Sequence, residues 1–190
     1  VPAATPTGYL QLTGNQVGAI LGHYILTKGP EHAKRVVLAS IVSSPLLGVM
    51  AKALGVRYEE TLTGFKWIAN RAMDLEKAEG LSFVFGYEEA LGYTVGTLVR
   101  DKDGVSAALL FAELTAVYAS EGKSVLHVLD AIYREYGLFV SSQVNVTKKG
   151  TEGAKEIQAL MDRLRQSPPK EIGGLKVTHV SDYKTKTVTD

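Results

Sequence analysis

Two adjacent carboxylates, Glu88 and Glu89, stand between glycines in Gly86-Tyr87-Glu88-Glu89-Ala90-Leu91-Gly92, directly after the apolar run Leu81 to Phe85. Open α/β sheets bind ligands beyond the carboxyl ends of their strands, and a carboxylate there can accept hydrogen bonds from vicinal sugar hydroxyls. It can also act as a general base, but adjacent loop residues point apart, so spacing alone makes no acid/base pair. A solvated acidic turn accounts for the same residues. A second junction is Thr61-Leu62-Thr63-Gly64-Phe65-Lys66, where a hydroxyl, the free amides of a helix start and a lysine suit a phosphate or another anion. A plain Thr N-cap beside an exposed lysine is the alternative. The third segment, Arg100-Asp101-Lys102-Asp103-Gly104, can set one cation against a phosphate, or can be a salt-bridged turn in which Asp103 caps a helix.

Other chemistry finds little support. His23, His32, His127 and His179 are scattered without metal-ligand spacing. Asp101 and Asp103 are spaced like parts of a cation loop, but no acidic ligands follow at the right offsets. Neither a G-x-x-x-x-G-K loop nor a G-x-S-x-G elbow occurs. Ser43-Ser44-Pro45 reads as a helix cap rather than a nucleophile, because no paired histidine is evident. Trp67 and the nine tyrosines follow helix and strand periods, which assigns them to the core by default.

The elements that must position these residues alternate. Residues up to Tyr9 form a loop leading into a short extended segment. Thr13-Gly14-Asn15-Gln16 has the form of a capping box, followed by Val17, Ile20, Leu21, Tyr24 and Ile25 at helical spacing, and Gly29-Pro30 ends that helix. Arg35 to Val42 suits a buried strand, Ser44-Pro45 opens a second helix, and Gly55 closes it. A strand over Val56 to Thr61, a helix over Phe65 to Glu79 and a strand over Leu81 to Phe85 follow, then a loop over Gly86 to Gly92. A long apolar helix runs from Val105 to Ser120, and an amphipathic one from Ser124 to Tyr136, stopped by Gly137. Beyond it come a strand over Phe139 to Thr147, a charged helix over Glu152 to Gln166, the breaker Pro168-Pro169, a strand near Leu175 to Val180 and a polar tail. The alternation predicts an α/β fold of helices layered on both faces of a mixed sheet, followed by a partial α+β domain. That last set of about 50 residues is too small to be stable alone.

Composition bounds the partners. With 21 basic and 20 acidic residues and a net charge of +1, the chain lacks the field of a nucleic-acid binder. No apolar run reaches the roughly 20 residues of a membrane helix, and no signal peptide stands at the front. The absence of cysteine excludes disulfides, thiolate metal sites and a cysteine nucleophile, and fits a reducing cytosol. The chain opens on Val1 rather than methionine, the mark of a processed protein or a piece of something longer.

Taken in order, LTGNQVGAIL, SSPLL, TLTGFKWI, FGYEEALG, VRDKDG, QVNVTKKGTEG and MDRLRQSPPKEIGGLKV resemble the phosphohexomutase superfamily, specifically phosphoglucomutases and phosphomannomutases. The resemblance covers essentially the whole chain and is far more specific than any single motif. It implies a third-domain type of α/β layer fold. Residues 1–12 would end a preceding domain or linker, 13–123 form the sugar-binding domain, 124–137 a connecting helix, and 138–190 the start of an incomplete fourth domain. In that family four domains surround a cleft and carry a phosphoserine, an Asp-rich magnesium loop, a sugar-recognition loop and a phosphate-binding loop. Only the sugar-recognition loop has a match here. The resemblance implies that Glu88 grips the sugar hydroxyls, that Thr63 and Gly64 line the cleft, and that Lys102 meets the substrate phosphate. Arg100 and Lys66 would stand nearby, and Ala90 occupies a position where the family usually has serine, which bears on one sugar hydrogen bond.

The function implied is the sugar-recognition portion of a cytoplasmic enzyme interconverting hexose 1-phosphate and hexose 6-phosphate. It would work through a phosphoserine and a hexose 1,6-bisphosphate intermediate, with Mg2+ held outside this chain and the isolated chain inactive. Its partners would be a hexose phosphate and the remaining domains of its parent. The alternative is a non-catalytic sugar-phosphate-binding or interaction module that reuses the fold.

Overall fold

The computed structural model describes residues 1–30, 34–142 and 145–189. The expected His32 and residues 143–144 of the expected strand over Phe139 to Thr147 lie outside them. Two compact units result, Val1–Ser141 and Ser142–Asp190.

In the first unit the chain runs α1 (Gly14–Lys28), β1 (Arg35–Ser40), α2 (Leu46–Ala53), β2 (Arg57–Thr61), α3 (Phe65–Glu79), β3 (Ser82–Glu88), β4 (Gly92–Val95), α4 (Gly104–Ser120) and α5 (Val125–Tyr136). The sheet order is β2-β1-β3-β4, with β1 parallel to both β2 and β3, and β4 antiparallel to β3. Alternate residues of β1 leave the sheet on opposite faces. Val37 and Ala39 join a core built by α1, α2, α4 and α5, while Val36 and Leu38 join a smaller core built on α3. The register of β3 against β1 shifts between Val36 and Val37, where Phe83 pairs with Val36 and Phe85 with Val37. That one-residue bulge sends Phe83 into the α3 core and Phe85 into the other, two residues apart yet on opposite faces.

Local signals act where expected. Thr13 and Gln16 satisfy each other's amides at the start of α1, Asp103 accepts from the amides of Val105 and Ser106 at the start of α4, and Gly80 ends α3 with φ +64°. At the start of α5, Ser124 and His127 form a second capping box, which no Glu or Gln announced.

The second unit holds α6 (Gly150–Gln166) and two short hairpins, β5 (Glu171–Ile172) with β6 (Leu175–Lys176) and β7 (Val180–Asp182) with β8 (Thr187–Thr189).

Five expectations are corrected. The stretch Gly86 to Gly92 is not a loop: β3 continues through Glu88, and only Glu89, Ala90 and Leu91 turn before β4 begins. Phe139 to Thr147 forms no strand over its described residues, because no neighbouring strand supplies a ladder there. Trp67, on the outer side of the first turn of α3, is 46% exposed instead of core-packed, and of the tyrosines Tyr9 and Tyr183 are exposed as well. The expected strand near Leu175 to Val180 splits into β6 and β7, which pair with different partners. Part of the polar tail pairs back as β8.

Candidate functional site

Glu88 is the last residue of β3, and its residue-level exposure is only 4%. A carboxylate removed from water needs compensating partners. One is the backbone N–H of Gly64, which donates to Glu88 Oε1 at 2.5 Å. Gly64 is the N-cap of α3 at φ +116°, a conformation that a residue with a side chain adopts only at a cost in strain. The amides expected at this junction to wait for an external anion therefore already hold the protein's own carboxylate, and Gly64 caps the helix in place of a threonine. The positive end of the helix dipole adds to that stabilisation.

The second partner is Lys102, whose Nζ stands 3.2 Å from Glu88 Oε2. Its side chain is half exposed, and Nζ lies 4.8 Å from the centroid of the Phe65 ring. Gly92 is what allows this approach. A β-carbon there would come 2.8 Å from Lys102 Cε and 3.0 Å from Phe65. Glu88, Gly64, Phe65, Gly92 and Lys102 thus form one cluster at the carboxyl end of β3, with a buried anion and a half-exposed cation.

The turn carrying Glu88 is braced from its other side. Glu89 does not join the cluster. Its backbone N–H donates to Ser43 Oγ at 3.2 Å, and its carboxylate accepts from the hydroxyls of Ser40 and Ser43 at 3.3 and 3.4 Å. The two glutamates therefore point apart, as adjacent residues at a strand end must. Leu91 completes the turn at φ +64°, a left-handed conformation for a β-carbon-bearing residue. Beneath the turn, the Tyr87 hydroxyl donates to Asn15 Oδ1 and to the Ser44 carbonyl, and that of Tyr93 donates to the Gly14 carbonyl. Burial pushes both hydroxyls well above the ordinary tyrosine range, Tyr93 to about 12, so they remain donors.

Of the residues singled out in the sequence, Glu88, Gly64 and Lys102 come together. Thr63 is exposed beside Gly64, and Ala90 is exposed in the turn. Arg100 is turned away: its Nη2 stands 2.8 Å from Glu76 Oε2. Glu76 lies in the last turn of α3, about 16 Å along the helix from its start at Phe65. Lys66 is exposed, with Nζ 5.6 Å from the centroid of Trp67. The expected arrangement of Lys66, Arg100 and Lys102 about one cleft is therefore reduced to Lys102. Phe65 and Gly92 were missed because an aromatic residue and a glycine carry no charge to announce them. Ser40 and Ser43 were missed because their link to Glu89 joins distant parts of the chain.

Residues 13–136 match the family model described as phosphoglucomutase/phosphomannomutase, alpha/beta/alpha domain III. The chain is 40% identical over 174 residues to a phosphoglucomutase of Staphylococcus haemolyticus, covering 90% of this chain and 31% of that one. It is 41% identical over 181 residues to a Haemophilus influenzae protein named "Probable phosphomannomutase", covering 94% and 35% respectively. The chain thus spans about a third of the length of these curated relatives. Among solved structures, the pp63/parafusin phosphoglucomutase of Paramecium superposes with a TM-score of 0.57 at 18% identity, over 96% of this chain and 31% of that one, a likeness of fold.

Proposed function

The chain belongs to the phosphoglucomutase/phosphomannomutase family through its domain III, and from that premise we propose that Glu88 and Lys102 form the sugar-recognition part of a hexose-phosphate mutase. The observation that carries this reading is the Glu88–Lys102 pair itself: a buried carboxylate whose cationic partner is half exposed. In the absence of sugar, Glu88 is satisfied by Gly64 and Lys102. When a hexose phosphate docks, vicinal hydroxyls take over acceptor sites on Glu88, and the Lys102 ammonium turns on its flexible stem to the phosphate. Without sugar that ammonium rests over the Phe65 ring, 4.8 Å from its centroid.

Discrimination follows from hydrogen bonding. A sugar that leaves the buried carboxylate short of a donor loses about 1–3 kcal/mol relative to one that satisfies it. Ala90 supplies no hydroxyl in the turn, so Glu88 carries more of that selection than it would beside a serine.

Within the whole enzyme the pair positions and neutralises, and phosphoryl transfer between serine and sugar through a hexose 1,6-bisphosphate would use residues outside this chain. The same holds for magnesium. No group of three or more metal-binding side chains occurs among the described residues, and Glu88 is already engaged by a lysine, so these residues do not fit the ion. The isolated chain is accordingly expected to be inactive. No helix among the described residues is long and apolar enough to cross a membrane.

The test is conversion of glucose 1-phosphate to glucose 6-phosphate by the full-length polypeptide carrying these residues, with a Glu88→Gln variant beside it. The substitution is expected to lower kcat/KM by about tenfold to 150-fold, the equivalent of one lost charged hydrogen-bonding partner. Unchanged kcat/KM in a folded variant removes Glu88 from the site. Sugar-phosphate binding without turnover in the wild-type protein favours the non-catalytic module.

A further inference from the structure

The serines at the end of β1 take no part in the pair that Glu88 makes with Lys102, and starting α2 does not require them. Ser44 serves there, its Oγ accepting from the Leu46 amide at 3.3 Å. Ser40 and Ser43 are closed into a turn by the Ser43 amide, which donates to the Ser40 carbonyl at 2.9 Å, and their hydroxyls stand 2.8 Å apart. Each hydroxyl has one proton to give. Both reach the same acceptor outside the pair, Glu89 Oε2, at 3.3 and 3.4 Å, and the Glu89 amide donates back to Ser43 Oγ at 3.2 Å. Glu89 thus closes a ring of hydrogen bonds onto the end of β1, through its side chain and its backbone at once.

The place of this ring gives it a use. β1 is paired on both sides, and Val36, Val37, Leu38 and Ala39 are wholly buried, so its end is a firm anchor. Its ladder with β3 stops at Ala39 and Tyr87. Glu88 is the next residue, and the ring on Glu89 continues the attachment to β1 where the ladder ends. Two further observations show the same turn held in place. A β-carbon on Gly14 would lie 1.9 Å from the Glu89 carbonyl oxygen, so the turn rests directly on the first residue of α1. Leu91 keeps φ at +64°, a conformation that persists in a residue with a β-carbon only where its surroundings impose it. We propose that Glu89 is a positioning residue: through Ser40 and Ser43 it fixes the turn so that the Glu88 carboxylate meets the sugar hydroxyls at hydrogen-bonding distance. The inference rests on the sugar-recognition role proposed above for Glu88, and it gives Glu89 no contact with the substrate.

The full-length polypeptide is assayed for conversion of glucose 1-phosphate with Glu89→Ala, Glu89→Gln, Ser43→Ala and Glu88→Gln, and with Glu89→Ala and Glu88→Gln combined. A misplacement of 1 Å can cost on the order of 100-fold, and a loosened turn is expected to lower kcat/KM in Glu89→Ala by about tenfold, chiefly through KM. Glu89→Gln, whose amide oxygen still accepts from the serines, should stay within about threefold of wild type. In the Glu88→Gln background, Glu89→Ala should cost less than about twofold more, because the group it positions has lost its charge and its role. Full additivity overturns the proposal, since a change that only weakens the fold acts whether or not Glu88 is intact. An equal fall in Glu89→Gln and Glu89→Ala also overturns it, and makes the Glu89 charge itself part of the site. Wild-type kcat/KM in Glu89→Ala beside an impaired Glu88→Gln overturns this inference alone. Wild-type kcat/KM in Glu88→Gln removes the reading beneath it as well. If Glu89→Ala does not fold, Ser43→Ala, which takes away the acceptor of the Glu89 amide, carries the test with an expected loss of about threefold and no further loss in the Glu88→Gln background.

Discussion

At the scale of single residues, the site is a problem in giving partners to one carboxylate removed from water. The Glu88 side chain is 5% exposed, and its two oxygens are shared between the Gly64 amide and the Lys102 ammonium. Removing one partner of a buried pair leaves the other uncompensated, and that costs more than the pair itself contributes. Because Lys102 is half exposed, the penalty is smaller than for a fully buried pair. Lys102→Met is expected to destabilise the chain by about 1–2 kcal/mol in urea unfolding. Glu88→Gln with Lys102→Met should cost less than the sum of the two single changes, since the double variant leaves no lone charge. Strict additivity in that cycle would mean that the pair is not coupled. By pattern alone Glu88 and Glu89 were alike, since a solvated acidic turn accounts for both; the family resemblance singled out Glu88, and its burial against Gly64 and Lys102 comes from contacts between segments remote in sequence. Arg100 was misplaced because its neighbour Glu76 is remote in sequence, and no local pattern connects them.

At the scale of elements, the close fit of α1 over β3 positions the turn. Gly14, Gly18 and Gly22 form one stripe of α1. A β-carbon at Gly14 would overlap the Glu89 carbonyl, one at Gly18 would come 2.5 Å from the Tyr87 ring, and one at Gly22 would come 2.7 Å from Leu47. Gly18→Ala gains up to about 1 kcal/mol of helix propensity but forces α1 off the sheet, where overpacking costs about 1–3 kcal/mol. The expected net effect is a loss of about 1–2 kcal/mol, with Tyr87 displaced from Asn15 and Ser44. Gly104→Ala, where nothing lies within 4 Å, should be neutral or slightly stabilising. If both substitutions move the urea midpoint in the same direction, close packing is not what holds α1 in place. The helices were readable from their caps and periodicity, α3 to the residue. The strand β4 was not, because Gly-Tyr-Thr-Val is only four residues beside glycines and owes its existence to pairing with β3. The described residues of Phe139 to Thr147 failed in the opposite way: their sequence suits a strand, but none of them pairs in a ladder.

At the scale of the molecule, burial is distributed very unevenly. Every buried apolar side chain among the described residues lies in Val1–Ser141, from Ala19 to Ile132. In the second unit Gly153 is the single buried residue among those described in α6, and Ile157, Leu160, Met161 and Leu164 remain 41–43% exposed. The face of α5 that holds Val125, Val128, Leu129 and Ile132 is already spent in the core of the first unit. The first unit therefore completes its own core, whereas the second has too little apolar burial to offset the entropy of ordering about 50 residues. Ending the chain after Ser141 should then change the stability of the first unit by less than about 1 kcal/mol, a shift in Tm under about 5 °C. The circular dichroism lost on truncation should be no more than α6 and the short hairpins can supply. A fall in Tm of about 10 °C or more would show that residues 142–190 stabilise the first unit, and that its boundary lies beyond Ser141.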